Sequence, residues 1–259
     1  MDTLAQFAKH LASLRLERRQ QSGLRADWIP PDVPSAYRVA NSVANELGWP
    51  VVGWKIAATN KTMQKALRTD RPIYGRVFAP NTNASPARVP YAEQLSPIPE
   101  VEYQVRLSDD LPAREQPYSA EEVAQAVESI HPGLELAECR FIHDENFPPL
   151  EAILADGAGS GTLVYGDVID AWQDKDIAGQ EVVLYRNGEP CRRGTAREAL
   201  EHPLAPLTWL ANELRELGIG LEAGQLVSTG TLTGMLRPKQ GDTFVADFGP
   251  LGTVEATYE

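Results

Sequence analysis

The stretch SPIPEVEYQVRLSDD, residues 96–110, decides how this chain is read. Prolines precede a run of alternating side chains and a polar turn follows it, which predicts a β-strand over 100–107. Alternation puts Val101, Tyr103 and Val105 on one face and Glu100, Glu102, Gln104 and Arg106 on the other. Glu100 and Glu102 then stand ~6.6 Å apart along the strand. Two like charges at that spacing repel, so either water solvates this face or a cation lies between them. A third acid bears on the choice. Glu135 sits in PGLELAECRF between Leu134 and Leu136, in a segment that reads as a buried strand over 133–142. A buried carboxylate is costly unless it is paired or binds a cation. Three carboxylates meeting from two strands would form an oxygen-only site for Mg²⁺, Mn²⁺ or Ca²⁺, and not for zinc or copper. Spacing alone does not bring Glu135 to the pair.

Outward from these strands, residues 1–50 read as helical. MDTLAQFAKHLASLRL places Leu4, Phe7, Ala8, Leu11 and Ala12 on one helix face with Thr3 as the expected cap. A second helix over SAYRVANSVANEL ends at Gly48. From residue 51 the chain turns β-rich. VVGWKIAAT is a strand carrying Lys55, a polar and helical connection leads to PIYGRVFAP, and GTLVYGDVID (161–170) is a further strand. Ser119 and Glu122 form a capping box ahead of a helix. Asn187-Gly188 joins the two arms of a hairpin. PLTWLANELRELGIGL is an amphipathic helix with Leu207, Leu210, Ala211, Leu214 and Leu217 on one side. The fold class is therefore α+β, with a small helical N-terminal part over 1–50 and a β-rich body over 51–259.

The chain has 259 residues, 42% hydrophobic and 23% charged, enough for one large core. Its net charge of −12 argues against nucleic-acid partners, which need clustered Lys and Arg. No apolar run approaches the ~18 residues of a membrane span, and the N-terminus lacks the apolar centre of a signal peptide. The cytoplasm is the expected location, and two cysteines, Cys139 and Cys191, make no disulfide framework or zinc set. His202 in EHPL reads as a helix cap. The loop FIHDENFPP, with His143, Asp144 and Glu145, reads as solvated. Trp54 and Trp209 read as core, and Arg140 as a strand-edge charge or a partner for a ligand carboxylate.

Eight segments in order carry a resemblance: GWKIAAT (53–59), PIYGRVF (72–78), PEVEYQVRL (99–107), GLELAECRF (133–141), ADGAGSG (155–161), EHPLAPLTWLANEL (201–214), EAGQLVSTGTLTG (222–234) and GDTFVADFGPLGTV (241–254). Together they resemble the hydratase/decarboxylase family of the fumarylacetoacetate hydrolase superfamily, over nearly the whole chain. The resemblance implies one Mg²⁺ or Mn²⁺ held by Glu100, Glu102 and Glu135, which stabilises the enolate of an unsaturated 2-oxo acid. It implies Lys55 and Asp156 as catalytic groups. Tyr74, Ser160, Thr229, Gly230 and Thr231 would line the substrate site. The implied partner is a small-molecule 2-oxo acid, and the implied assembly a homo-oligomer, with a paired, non-catalytic subunit as an alternative.

The sequence departs from the family pattern at three places. Ala57 replaces the second glycine of the lysine strand. Ile73 stands before Tyr74-Gly75 where hydratases of the family carry an acid, which looks more like the decarboxylase branch. In ADGAGSG, Gly157 and Gly159 stand where the family has Asn and Ser, with Ser160 one position late. The proton donor is thereby left unassigned, and the metal ligands are not touched. The implied activity is a 2-keto-4-pentenoate hydratase-like lyase, with a 4-oxalocrotonate-type decarboxylase as the first alternative. An acylpyruvase-type hydrolase, which would need a His-Glu pair such as His143 and Glu145, is the second.

Overall fold

The computed structural model describes residues 2–259 and carries six α-helices and twelve strands among them. Helices α1 (Thr3–Leu16) and α2 (Val33–Leu47) pack on each other at the N-terminus. Asp2, not Thr3, caps α1: its Oδ1 accepts from the Leu4 N–H at 3.3 Å, and Thr3 is already helical. Asp32 caps α2 through the Ser35 N–H, and Gly48 closes it in the left-handed conformation that glycine adopts without strain.

Seven strands form the larger sheet: β1 (Val51–Ala57), β2 (Ile73–Phe78), β3 (Thr82–Ala84), β5 (Ile98–Leu107), β6 (Val127–Ala137), β7 (Thr162–Tyr165) and β10 (Leu226–Ser228). Their order is β2-β1-β10-β5-β6-β7-β3. The smaller sheet has the order β4-β12-β11-β8-β9, with β4 (Ala87–Val89), β8 (Val182–Arg186), β9 (Glu189–Gly194), β11 (Thr243–Asp247) and β12 (Thr253–Tyr258). Short helices α3 (Lys61–Leu67), α4 (Ala120–Gln125) and α5 (Leu150–Ala155) connect strands, and α6 (Leu204–Glu216) packs near β1. The Ser119–Glu122 capping box forms in both directions, and Asn187-Gly188 turns between β8 and β9 with both φ angles positive. His202 accepts the Leu204 N–H at 3.1 Å, the capping role read for it.

Two expected strands are shorter or shifted. The segment read as 133–142 is paired over 127–137, and residues 138–141 leave the sheet because Glu138 and Arg140 turn into a buried ion cluster. The strand read in 161–170 pairs only over 162–165.

One core joins the sheets: Val101, Tyr103, Leu134 and Val164 from the larger meet Phe244, Val254 and Tyr258 from the smaller, with Leu207 and Leu210 of α6. A second core ties the N-terminal helices to the body through Phe7, Leu11, Val43, Phe78, Phe141 and Ala152. Backbones approach closely at Gly53, opposite Leu226 in the β1–β10 pair, where an added Cβ would lie 1.8 Å from the Leu226 carbonyl oxygen. Backbone cannot yield as a side-chain tip does. Gly53→Ala is therefore expected to destabilise the fold by about 3 kcal/mol or more, read as a lowered midpoint in denaturant unfolding. No helix is long and apolar enough to cross a membrane among the described residues.

Candidate active site

Strand pairing brings the three acids together. Glu100 on β5 lies directly opposite Glu135 on β6, so both side chains share one face. Glu102 lies opposite Gly133, which offers no side chain to crowd it. Lys55, Ser228 and Gln104 are in register across β1, β10 and β5, and extend the same face. One carboxylate oxygen from each of Glu100, Glu102 and Glu135 falls within 4.8 Å of the others. Glu100 is 8% exposed, Glu102 1% and Glu135 0%.

The protein satisfies these acids unequally. Glu102 Oε2 accepts from the Ser228 hydroxyl at 2.5 Å and from the Gly230 N–H at 2.8 Å. Among the described residues neither oxygen of Glu135 accepts a well-formed hydrogen bond, and its one charged partner is Lys55, whose Nζ lies 3.5 Å from Oε1. Orphaned, buried carboxylate oxygens beside two more carboxylates fit a hard divalent cation with oxygen ligands. Burial, then the charge of Glu135, pushes the Glu100 carboxyl up to about 8, and Lys55 opposes the rise. Burial and its two acidic neighbours hold Glu102 well above the ordinary carboxylate range, and burial raises Glu135 also.

These shifts make a pH signature. A carboxyl whose pKa is raised by folding contributes stability that is whole below its unfolded pKa and is lost as pH climbs through the folded one. With a chelator present, the Glu100 carboxyl should therefore cost the fold on the order of a few kcal/mol between about pH 4.5 and about 8. A bound divalent cation holds the carboxylates ionised and cancels the loss. Thermal melts across this range, with chelator and with saturating Mg²⁺, should separate increasingly as pH rises.

Beside the acids lies a cavity of about 140 Å³. Lys55, Glu100, Glu102 and Thr231 stand in its wall. Glu135 lies behind that wall, completely buried. Thr229 and Gly230 also act from behind: the Thr229 hydroxyl donates to the Tyr103 carbonyl at 3.0 Å, and Gly230 serves Glu102. Gly230 has φ +102°, and a Cβ there would meet the Thr59 hydroxyl at 2.4 Å.

The structure does not bring Tyr74, Asp156 and Ser160 into this wall. Tyr74 falls on the opposite face of β2 from Ile73, stacked on Tyr37 with centroids 4.1 Å apart and against Trp54. Asp156 is taken by Arg140, whose Nε reaches both of its oxygens at 2.7 and 2.8 Å, with Arg15 Nε at 3.9 Å. The Ser160 hydroxyl donates to the Arg76 carbonyl at 2.5 Å. Their neighbour Gly159 is the member of that loop on the cavity wall, where a Cβ would come 3.4 Å from Lys55 Nζ. Ile73, 3% exposed, is also on the wall.

Sequence reasoning missed most of the apolar wall, and with it two polar residues, Thr59 and Glu138. Thr59 presents a buried hydroxyl with no partner. Glu138 accepts the Leu95 N–H at 3.2 Å and lies 3.5 Å from Arg140. Only the odd position of a threonine ending an apolar strand hinted at the first. His143 does line the cavity, stacked on Phe147 at 4.2 Å. Among the described residues no hydrogen bond joins it to Glu145, so the His-Glu pair of a hydrolase is not assembled here.

Comparison with known proteins agrees with this geometry. The sequence model of the fumarylacetoacetate (FAA) hydrolase C-terminal family matches residues 58–258. A 2-keto-4-pentenoate hydratase of Paraburkholderia xenovorans (strain LB400) is 32% identical, over 96% of this chain and 94% of its own. A 4-oxalocrotonate decarboxylase of Pseudomonas putida is 26% identical, over 97% of this chain and 95% of its own. The solved 4-oxalocrotonate decarboxylase from Pseudomonas putida G7, complexed with magnesium and adipate, superimposes with a TM-score of 0.89. It covers 99% of this chain and 97% of its own at 24% identity, and so supports the α+β fold.

Proposed function

We propose, from the premise that the chain belongs to the fumarylacetoacetate hydrolase family, that it is a divalent-metal-dependent lyase of unsaturated 2-oxo acids. Its reading as a 2-keto-4-pentenoate hydratase-like enzyme, adding water, comes first, in line with its relatives. The observation that carries the proposal is the meeting of Glu100, Glu102 and orphaned Glu135 with Lys55 at a cavity wall. Glu100, Glu102 and Glu135 would hold the cation, which we take to be Mg²⁺ or Mn²⁺. When bound, it would supply a Lewis acid that stabilises negative charge on the oxygens of a 2-oxo acid.

The chain's own groups do the rest. Both water addition to the distal double bond and loss of a distal carboxylate push an electron pair toward the 2-oxo oxygen. The Lys55 ammonium, buried and held by Glu135, meets that developing charge where water does not screen it. Thr59 offers its unpaired hydroxyl to the substrate's carboxylate, while the Thr231 hydroxyl in the same wall donates to the Gly234 carbonyl at 3.3 Å. Ser228 and Gly230 fix Glu102. Asp156 acts as a positioning residue: with Arg140 and Arg15 it holds the 156–160 loop, which sets Gly159 against Lys55.

One observation favours the second reading, decarboxylation. Ile73 occupies the wall where an acid would activate water, and carbon dioxide loss needs no base at that step. The deciding assay supplies Mg²⁺ with 2-hydroxypenta-2,4-dienoate in one arm and 2-oxohex-3-enedioate in the other, with Glu102→Ala as control. Water addition in the first arm supports the hydratase. Carbon dioxide in the second moves the assignment to decarboxylase, and silence in both rejects the lyase. We take the chain to work in the cytoplasm as a homo-oligomer, the latter checked by sedimentation.

A further inference from the structure

The cavity wall carries two kinds of side chain. Lys55, Thr59, Glu100, Glu102 and Thr231 are polar. Met63, Leu67, Ile73, Phe147, Ile153 and Met235 form an apolar set. Met63 and Leu67 stand four residues apart on α3, so one face of that helix supplies both, and they pack with Ile73 and Ala58. Asn60 caps this helix through the Met63 N–H at 2.9 Å and fixes where the face points.

The charged groups in the wall matter as much. Lys55 is its one lysine or arginine among the described residues, and it is committed to Glu135. The carboxyl side chains of the wall belong to Glu100, Glu102 and Glu138, and Glu138 lies 3.5 Å from Arg140. His143 is the other basic side chain, and burial together with nearby Arg237 lowers its pKa below the ordinary histidine value, toward the neutral ring. Arg237 itself is exposed and outside the wall.

A second carboxylate buried against this part of the wall would thus lose its water and find no cation to pair with. An alkyl end would bury against methyl and methylene groups instead. We infer that the cavity selects 2-oxo acids whose distal end is uncharged and apolar, a short alkyl or alkenyl tail, over dicarboxylates, and that Met63, Leu67 and Ile73 set this selection. The inference rests on the reading of the site as a 2-oxo acid site. It also separates the two reactions, because 2-oxohex-3-enedioate carries the charge that this wall disfavours.

The test is binding to the Mn²⁺-loaded native protein of two unreactive acids of equal length, 2-oxohexanoate and 2-oxohexanedioate, by calorimetry. The monoacid is expected to bind at least tenfold more tightly, the discrimination that an unpaired buried carboxylate imposes. Leu67→Arg, which adds a cation to the apolar set, should shrink or reverse the ratio. Equal or tighter binding of the diacid to the native protein overturns the inference and leaves the lyase reading standing. If neither acid binds, both fall. If the monoacid binds more tightly but no unsaturated acid is turned over, the selectivity holds and the lyase reading fails.

Discussion

Lys55→Met should lower kcat/KM by about 10³-fold while one divalent cation per chain still binds. Methionine nearly matches the lysine stem in volume, so the 2%-exposed position stays filled and the cavity keeps its shape. What disappears is the only ammonium or guanidinium in the wall among the described residues. Removing one preorganised donor to a developing oxyanion costs about 10²–10³-fold, and losing a proton-transfer group adds to that. The glutamates keep their places in β5 and β6, so cation binding survives. Steady-state kinetics and Mn²⁺ titration of the same preparation check both halves. A fall of less than tenfold would remove Lys55 from the chemistry.

Asp156→Ala should cost about 3–5 kcal/mol of stability, because it leaves two buried guanidinium groups with Glu138, 3.5 Å from Arg140, as the acid beside them. Arg140 is 1% exposed and Arg15 7%, and Asp156 is the carboxylate between them. The strain of this cluster is visible in Arg15, whose pKa falls to about 10 through burial and the nearby charge of Arg140. The double variant Asp156→Leu/Arg140→Met removes both charges and should recover part of the loss. Denaturant midpoints decide the matter. A cost under about 1 kcal/mol for Asp156→Ala would mean that water or Glu138 replaces the lost carboxylate.

Local signals were legible in the sequence because their physics is local. The alternation in 100–107 gave the strand and the common face of Glu100 and Glu102. Asn187-Gly188 gave the hairpin, and Ser119 with Glu122 gave the cap. Glu135 was marked by being an acid among leucines, but its position opposite Glu100 is a matter of strand register, which spacing does not set. Tyr74 shows the same limit from the other side. Its neighbour Ile73 takes the cavity face, and the two-residue period then sends the tyrosine ring to Tyr37. The Arg15–Arg140–Asp156 cluster could not be seen at all, since Arg15 reaches its loop across 141 residues of chain. The strand carrying Glu135 ends at Ala137, before the boundary that composition suggested.

The most direct test of the three-glutamate site is a Mn²⁺ titration of the native protein and of Glu135→Gln at pH 7.5. The carboxylate geometry leads to one ion per chain in the native protein, with affinity at least about 100-fold weaker in the variant, whose amide keeps the shape and drops the charge. No binding by the native protein, or binding that Glu135→Gln leaves unchanged, would contradict it.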